Sequence, residues 1–215
     1  GDGVDRFPRS VLDPGLYAGS LLAHQLTANN VIVTGSVVRG TRADTNGGSW
    51  VSIMDRPGRA VSEVVALCMK YSNNSIAESL VKNLGAWEGA ALDGDPARQG
   101  NWTSGIKAMR AQLGVIGVNL GDANLVDGSG LSVQNRITPR ALVNALTVAR
   151  ESFRFGPEFV AAMPIAEVDG TLKKRMRDSK GRVRAKTGLL SDAKVTALSG
   201  YAERAEGEVL IFSIL

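Results

Sequence analysis

Val183-Arg184-Ala185-Lys186-Thr187-Gly188 opens the part of the chain whose reading decides the fold. Before it lies a basic, helix-like stretch. After Gly181 the pattern changes to strand, over Val183–Thr187, Val195–Tyr201 and Val209–Ile214, in runs rich in β-branched and apolar residues. Glu203-Arg204-Ala205-Glu206-Gly207 is a short polar connection ending in glycine, so the last two strands are predicted to pair antiparallel across it.

Upstream the apolar period is helical. Thr138-Pro139 supplies an N-cap and a first-turn proline, with Leu142, Val143 and Leu146 on the buried face that follows. Ile106, Met109 and Leu113 place a helix over Thr103–Leu113, and Leu120–Gly130 reads as loop. Val64, Val65, Leu67 and Cys68 predict a buried helix over Ser62–Tyr71, broken by Ser72-Asn73-Asn74 because Ser and Asn favour caps and turns. A second helix starts at Ser75, carries Ile76, Leu80, Val81 and Leu84, and is expected to end near Gly85. Glu158–Met163 and Thr171–Met176 read as short helical pieces broken by Pro164 and Gly170. At the start, Asp13-Pro14 caps a helix with Leu16, Leu21, Leu22 and Leu26. Val31–Val38 reads as a strand interrupted by Gly35, Arg39–Gly48 as a polar connection and Ser49–Met54 as a short strand.

Composition removes several classes of function. With 44% hydrophobic and 21% charged residues among 215, an ordered globular chain is expected rather than disorder. A formal charge of +4 is far below that of a dedicated nucleic-acid binder, and the basic run Lys173, Lys174, Arg175, Arg177, Lys180, Arg182, Arg184 reads as a solvated face. Trp50, Trp87 and Trp102 are too scattered for a base-stacking platform and are expected to pack. Cys68 stands alone in an apolar run, which leaves no disulfide and no thiolate metal cluster. His24, the one histidine, reads as a partly buried helix residue rather than a catalytic base, so a Ser-His-Asp triad is not expected. Gly1–Arg6 does not have the pattern of a signal peptide, and no uninterrupted apolar stretch is long enough to span a bilayer.

Two tripeptides carry chemistry: Ser72-Asn73-Asn74 (S-x-N) at a break between helices and Lys186-Thr187-Gly188 (K-T-G) on a strand. They are two of the three motifs of penicillin-interacting serine enzymes, the third being an S-x-x-K that holds the nucleophile. No Ser or Thr between Gly1 and Tyr71 has a Lys three positions later. Ser104-Gly105-Ile106-Lys107 and Ser191-Asp192-Ala193-Lys194 have the spacing but follow Ser72, whereas the nucleophile should precede it. Between the tripeptides lies Asp127-Gly128-Ser129-Gly130-Leu131-Ser132, followed by Asn135-Arg136 and Thr138. With this segment the chain resembles the D-alanyl-D-alanine carboxypeptidase/endopeptidase family of low-molecular-mass, class C penicillin-binding proteins. Leu198-Ser199-Gly200-Tyr201, Asp13-Pro14 and Tyr17-Ala18-Gly19 extend the resemblance over essentially the whole chain.

The resemblance implies an α/β fold of the β-lactamase/transpeptidase type, a mostly antiparallel sheet flanked by helices and here a partial domain. Residues 1–45 would be the tail of an inserted accessory domain and 46–215 the C-terminal part of the transpeptidase-like domain. It implies a serine-type carboxypeptidase/endopeptidase acting on peptidoglycan stem peptides through an acyl-enzyme, acylable by β-lactams, with no cofactor or metal, located in the periplasm or outside the cell. The nucleophilic Ser and its Lys would lie in an N-terminal segment of the same protein. Ser72 would relay a proton to the leaving D-alanine, Asn74 would hold the substrate backbone, and Lys186 would keep the site electropositive. Thr187 would bind the terminal carboxylate and Gly188 would let the strand approach. Leu189 departs from the Thr of many relatives, which implies weaker discrimination for a free C-terminus. A non-catalytic relative that binds peptidoglycan or penicillin is the alternative.

Overall fold

The computed structural model describes residues 11–40, 54–93 and 100–215. The chain divides into two units, residues 1–57 and 58–215. The predicted strand at Ser49–Met54 and the body of the Arg39–Gly48 connection, where the boundary was expected, lie largely outside the described residues.

In the first unit, helix α1 (Pro14–Ala28) starts where predicted, with the Asp13 carboxylate accepting the Leu16 N–H at 3.0 Å. Asp13 also takes both ends of the Arg39 guanidinium, at 2.7 and 3.0 Å, which closes the returning chain onto the helix start. A side chain at Gly19 would collide with Val37, so Gly19 is the seat of that return. Val31–Val38 is not a strand: it has no ladder partner among the described residues, and β-branched composition alone does not make a sheet. His24 is exposed rather than partly buried.

In the second unit, α2 (Val61–Tyr71) is half-buried along Val64–Lys70, and α3 (Asn74–Asp93) follows it after a two-residue link. α3 runs straight through Gly85, the expected terminator, because that glycine serves a helix crossing rather than a cap. A Cβ on Gly85 would lie 2.5 Å from the Gly105 nitrogen of α4 (Trp102–Val115), and one on Gly105 would lie 2.1 Å from the Val81 carbonyl oxygen. The two backbones therefore approach closely at these glycines, beside the Ser104 hydroxyl and a Val81 methyl. Ser104, a spacing match for a nucleophile, closes the capping box of α4 with Asn101.

Helix α5 (Pro139–Glu151) begins at the Thr138 cap, and α6 (Gly156–Ala162) follows it. Of the predicted Thr171–Met176 piece only Thr171 and Leu172 are helical, within the 3-10 turn Gly170–Leu172, and Met176 ends the piece with a positive φ. Strands β1 (Val183–Leu190), β2 (Val195–Glu203) and β3 (Val209–Ile214) form an antiparallel sheet in that order, with Lys186 opposite Ser199 and Ser199 opposite Ser213. Leu146, Met163 and Tyr201 form the buried centre, where the Tyr201 hydroxyl donates to the Leu146 carbonyl at 2.7 Å. Burial pushes that phenol up to about 12. Gly200 is obligatory in this strand, since a Cβ would sit 2.1 Å from the Arg184 carbonyl oxygen. Trp87 is exposed rather than packed. No described helix is long and apolar enough to cross a membrane.

The outer edge of β1 is covered over its first half. Ala166 donates to the Val183 carbonyl and Ala185 to that of Pro164, at 2.9 and 3.0 Å. By the two-residue alternation of a strand, Thr187 and Leu189 turn their N–H groups to the same edge, where no described backbone carbonyl takes them.

Candidate active site

Ser72 closes α2 in the left-handed conformation, φ 54° and ψ 50°, with its N–H bonded to the Cys68 carbonyl. For a residue with a Cβ this costs about 1–2 kcal/mol, and it throws the side chain off the helix axis. The next residue, Asn73, uses its carboxamide oxygen to cap α3 by accepting the Ile76 N–H at 3.0 Å. The serine is thus fixed between one helix end and the next helix start.

Lys186 reaches it from β1. Its Nζ donates to Ser72 Oγ at 2.7 Å and to the Thr187 carbonyl at 2.6 Å, bringing together two residues 114 positions apart. Burial holds the Lys186 ammonium below its ordinary value, because desolvation penalises the charged form. The Cys68 charge would oppose this, but burial raises the Cys68 thiol and keeps it neutral near pH 7. No described carboxylate forms an ion pair with Lys186. The arrangement is a hydroxyl hydrogen-bonded to a cation of reduced proton affinity, which suits proton transfer beside an anionic ligand.

Asn74 is the first residue of α3 and its side chain is exposed. Thr187 Oγ1 donates to Thr171 Oγ1 at 3.0 Å. Gly188 faces β2, where a Cβ would come within 3.1 Å of the Ala197 methyl, and Leu189 is 67% exposed. Behind Lys186, Thr187 and Gly188 lies an apolar cavity of about 400 Å³ reaching Met69, Leu113 and Phe159.

The glycine-rich segment proves to be a self-bonded scaffold. Asp127 accepts the N–H groups of Gly130 and Ser132, each at 2.7 Å, and the Asn135 amide at 2.9 Å. Gly128 lies on the first turn of α3, where a Cβ would stand 2.5 Å from the Ala77 carbonyl oxygen. Sequence reasoning missed the residue that pins this loop. Glu78 accepts from Trp102 Nε1 at 2.5 Å and from the N–H groups of Ser129 and Gly128 at 3.0 and 3.2 Å. Burial by itself would raise the Glu78 carboxyl, but the hydrogen bonds outweigh it and hold the group below its ordinary 4.5. A depressed folded value stabilises the fold above 4.5, and that contribution is lost as pH falls through the folded value. Glu78→Gln is therefore expected to lower thermal stability at neutral pH and to flatten its fall below pH 4.5. Parallel unfolding curves at pH 3 and pH 7 for the two proteins would rule this out.

Sequence reasoning also missed Lys70 and Asp169. Lys70 Nζ donates to Asp169 Oδ2 at 2.6 Å and to the Met163 carbonyl at 2.5 Å. For Asp169 too, burial acts upward and is outweighed by the Lys70 bond, the Ile165 N–H and the Lys70 and Arg184 charges.

Comparison with known proteins identifies the family and the fold. The model of the D-Ala-D-Ala carboxypeptidase 3 (S13) family matches residues 5–215. The chain is 37% identical to a D-alanyl-D-alanine carboxypeptidase of Actinomadura sp. (strain R39), over 96% of this chain and 37% of that protein. It is 30% identical to carboxypeptidase DacB of Mycolicibacterium smegmatis, over 94% of this chain and 42% of that one. The crystal structure of penicillin binding protein 4 (dacB) from Haemophilus influenzae superposes with a TM-score of 0.70 at 25% identity, covering 95% of this chain and 43% of that one. The fold is thus the expected one, present in part: the chain spans less than half the length of these relatives. It belongs to the D-Ala-D-Ala carboxypeptidase 3 (S13) family.

Proposed function

We propose that these residues form the proton-relay and carboxylate-binding side of a serine D-Ala-D-Ala carboxypeptidase/endopeptidase acting on peptidoglycan stem peptides. The observation that carries this reading is the 2.7 Å contact between Lys186 Nζ and Ser72 Oγ at the junction of α2, α3 and β1. The nucleophilic serine and its lysine are those of an S-x-x-K segment, as the resemblance to penicillin-interacting serine enzymes implies. Residues 1–45 belong with an accessory domain, and the enzyme works in the periplasm or outside the cell.

In the acylation step the serine oxygen bonds to the carbonyl carbon of the D-Ala-D-Ala peptide and the C–N bond breaks. The serine proton passes to the neighbouring lysine, and Ser72 passes a proton to the departing D-alanine nitrogen. Lys186, beside Ser72 and of reduced proton affinity, can replenish that proton and stabilises negative charge. Asn74, exposed at the start of α3, offers its amide to the substrate backbone. Thr187 binds the terminal carboxylate, the Leu189 N–H on the uncovered strand edge donates to the oxyanion, and Gly188 keeps that edge accessible. Water then cleaves the ester and restores the serine.

The test is incubation of the full-length protein with labelled penicillin and with a D-Ala-D-Ala-terminated peptide. Stoichiometric covalent label and release of D-alanine are expected. A folded full-length protein that binds muropeptides and never takes label would instead be a binding relative.

Leu189 sets the expected preference. Its exposed isobutyl group cannot hydrogen-bond a carboxylate, so Leu189→Thr should raise free-carboxylate cleavage over internal cleavage by about tenfold, the worth of one hydrogen bond to a charge. An unchanged ratio of the two activities would count against this role.

A further inference from the structure

We propose that Thr171 is a positioning residue for carboxylate recognition, and that the Lys70–Asp169 ion pair holds it in register with Ser72. The inference rests on the proposed role of Thr187 as the carboxylate ligand.

The hydroxyl of Thr187 has a partner already: Thr171 Oγ1, 3.0 Å away and half-buried. A threonine hydroxyl has one proton and two acceptor lone pairs. When Thr187 spends its proton on a carboxylate, Thr171 can turn and donate to the Thr187 oxygen, so the pair becomes a chain of donors running from Thr171 through Thr187 to the anion. Each link polarises the next, and the Thr187 rotamer is fixed before the anion arrives.

What places Thr171 there is built from the other side of the site. Lys70 lies two residues before Ser72, and its Nζ bonds Asp169 at 2.6 Å. Asp169 turns its second oxygen to the Ile165 N–H at 2.8 Å, closing the connection that covers the first half of β1. Gly170 follows with φ +55°, and a Cβ there would stand 2.4 Å from the Lys70 carbonyl oxygen, so backbone lies directly on the last turn of α2. Asp169, Gly170 and Thr171 therefore contact, in order, the side chain of Lys70, the backbone of Lys70 and the side chain of Thr187. One tripeptide ties the helix that presents Ser72 to the strand that presents Thr187.

The test uses the full-length protein and two probes, labelled penicillin and its methyl ester, which differ only in the carboxylate. In Thr171→Val the shape is kept and the hydroxyl lost. The second-order rate of acylation by the free acid should fall about tenfold while the rate for the ester stays within about twofold of the unsubstituted protein. Thr171→Ser, which restores the hydroxyl, should return the acid rate to within about twofold. Rates are taken per labelled site at saturation, so a poorly folding preparation does not mimic the effect, and Thr171→Ala serves if Thr171→Val gives no soluble protein. Equal losses for acid and ester, or no loss, overturn the inference while leaving the proposed enzyme intact. An unsubstituted protein that takes no label from either probe overturns both.

Discussion

Full-length protein carrying Lys186→Ala or Ser72→Ala is expected to be acylated by penicillin on the order of 10²–10⁴ times more slowly than the unsubstituted enzyme, the range for loss of a positioned proton donor or acceptor. Each substitution removes one end of the 2.7 Å contact. Lys186→Ala also withdraws the bond to the Thr187 carbonyl at 2.6 Å, and with it the positive charge that no described carboxylate balances. Because the two groups act as one relay, the double variant should be scarcely slower than the worse single variant. Stopped-flow or quenched labelling measures all three. A Ser72→Ala enzyme within a few-fold of normal would remove the relay from the mechanism, and additive losses would mean that the two residues act separately.

The largest loss of stability is expected from Gly105→Val. At the α3–α4 crossing the space a side chain would need is occupied by backbone: the Val81 carbonyl oxygen is 2.1 Å, and its carbon 2.7 Å, from where the Cβ would be. No flexible side chain can yield there, so the helices must separate, at a cost of about 3 kcal/mol or a little more. That corresponds to a fall in Tm of on the order of 10 °C for a unit of this size. Gly114→Ala is the control on the same helix: nothing lies within 4 Å of its Cβ position, and the gain in helix propensity should leave Tm unchanged or slightly raised. Equal Tm values for Gly105→Val and the unsubstituted protein would mean that the crossing is looser than described.

The crossing also shows why part of the fold was hidden from sequence. Gly85 carries the same signal whether it ends a helix or admits another one, and only the presence of Gly105 opposite decides between them. Val31–Val38 failed for a related reason: its residues suit a strand, but a strand exists only where a ladder partner lies alongside, and that is not a local property. The signals that did suffice were local. Thr138-Pro139 marked the start of α5, runs of β-branched and apolar residues marked the three strands, and the glycine-ended turn indicated the antiparallel pairing of the last two.

The site divides in the same way. Ser72, Asn74 and Lys186 were singled out because short motifs set them apart, and the structure brings the Ser72 hydroxyl and the Lys186 ammonium together. Glu78, Lys70, Asp169 and Thr171 carry no such mark. Lys70 meets Asp169 across 99 residues and Glu78 meets Gly128 across 50, so each reads alone as one more charge on a helix or loop. A carboxylate on the same helix as Asn74, one turn on, was the available hint for Glu78, though it points to a face and not to a partner. The Asp127 segment stands out as a pattern, while its physical role, a loop folded on its own aspartate, lies in contacts that the pattern does not spell.

The uncovered half of the β1 edge governs how a visitor must be read. Amide hydrogens from Thr187 onward greet any extended polymer through its framework, a handshake indifferent to the decoration that polymer carries. On the proposed function, selectivity is therefore pushed to the visitor's tip, where the Thr187 hydroxyl stands. On that same function, one compact edge serves many different branches, provided that each finishes the same way.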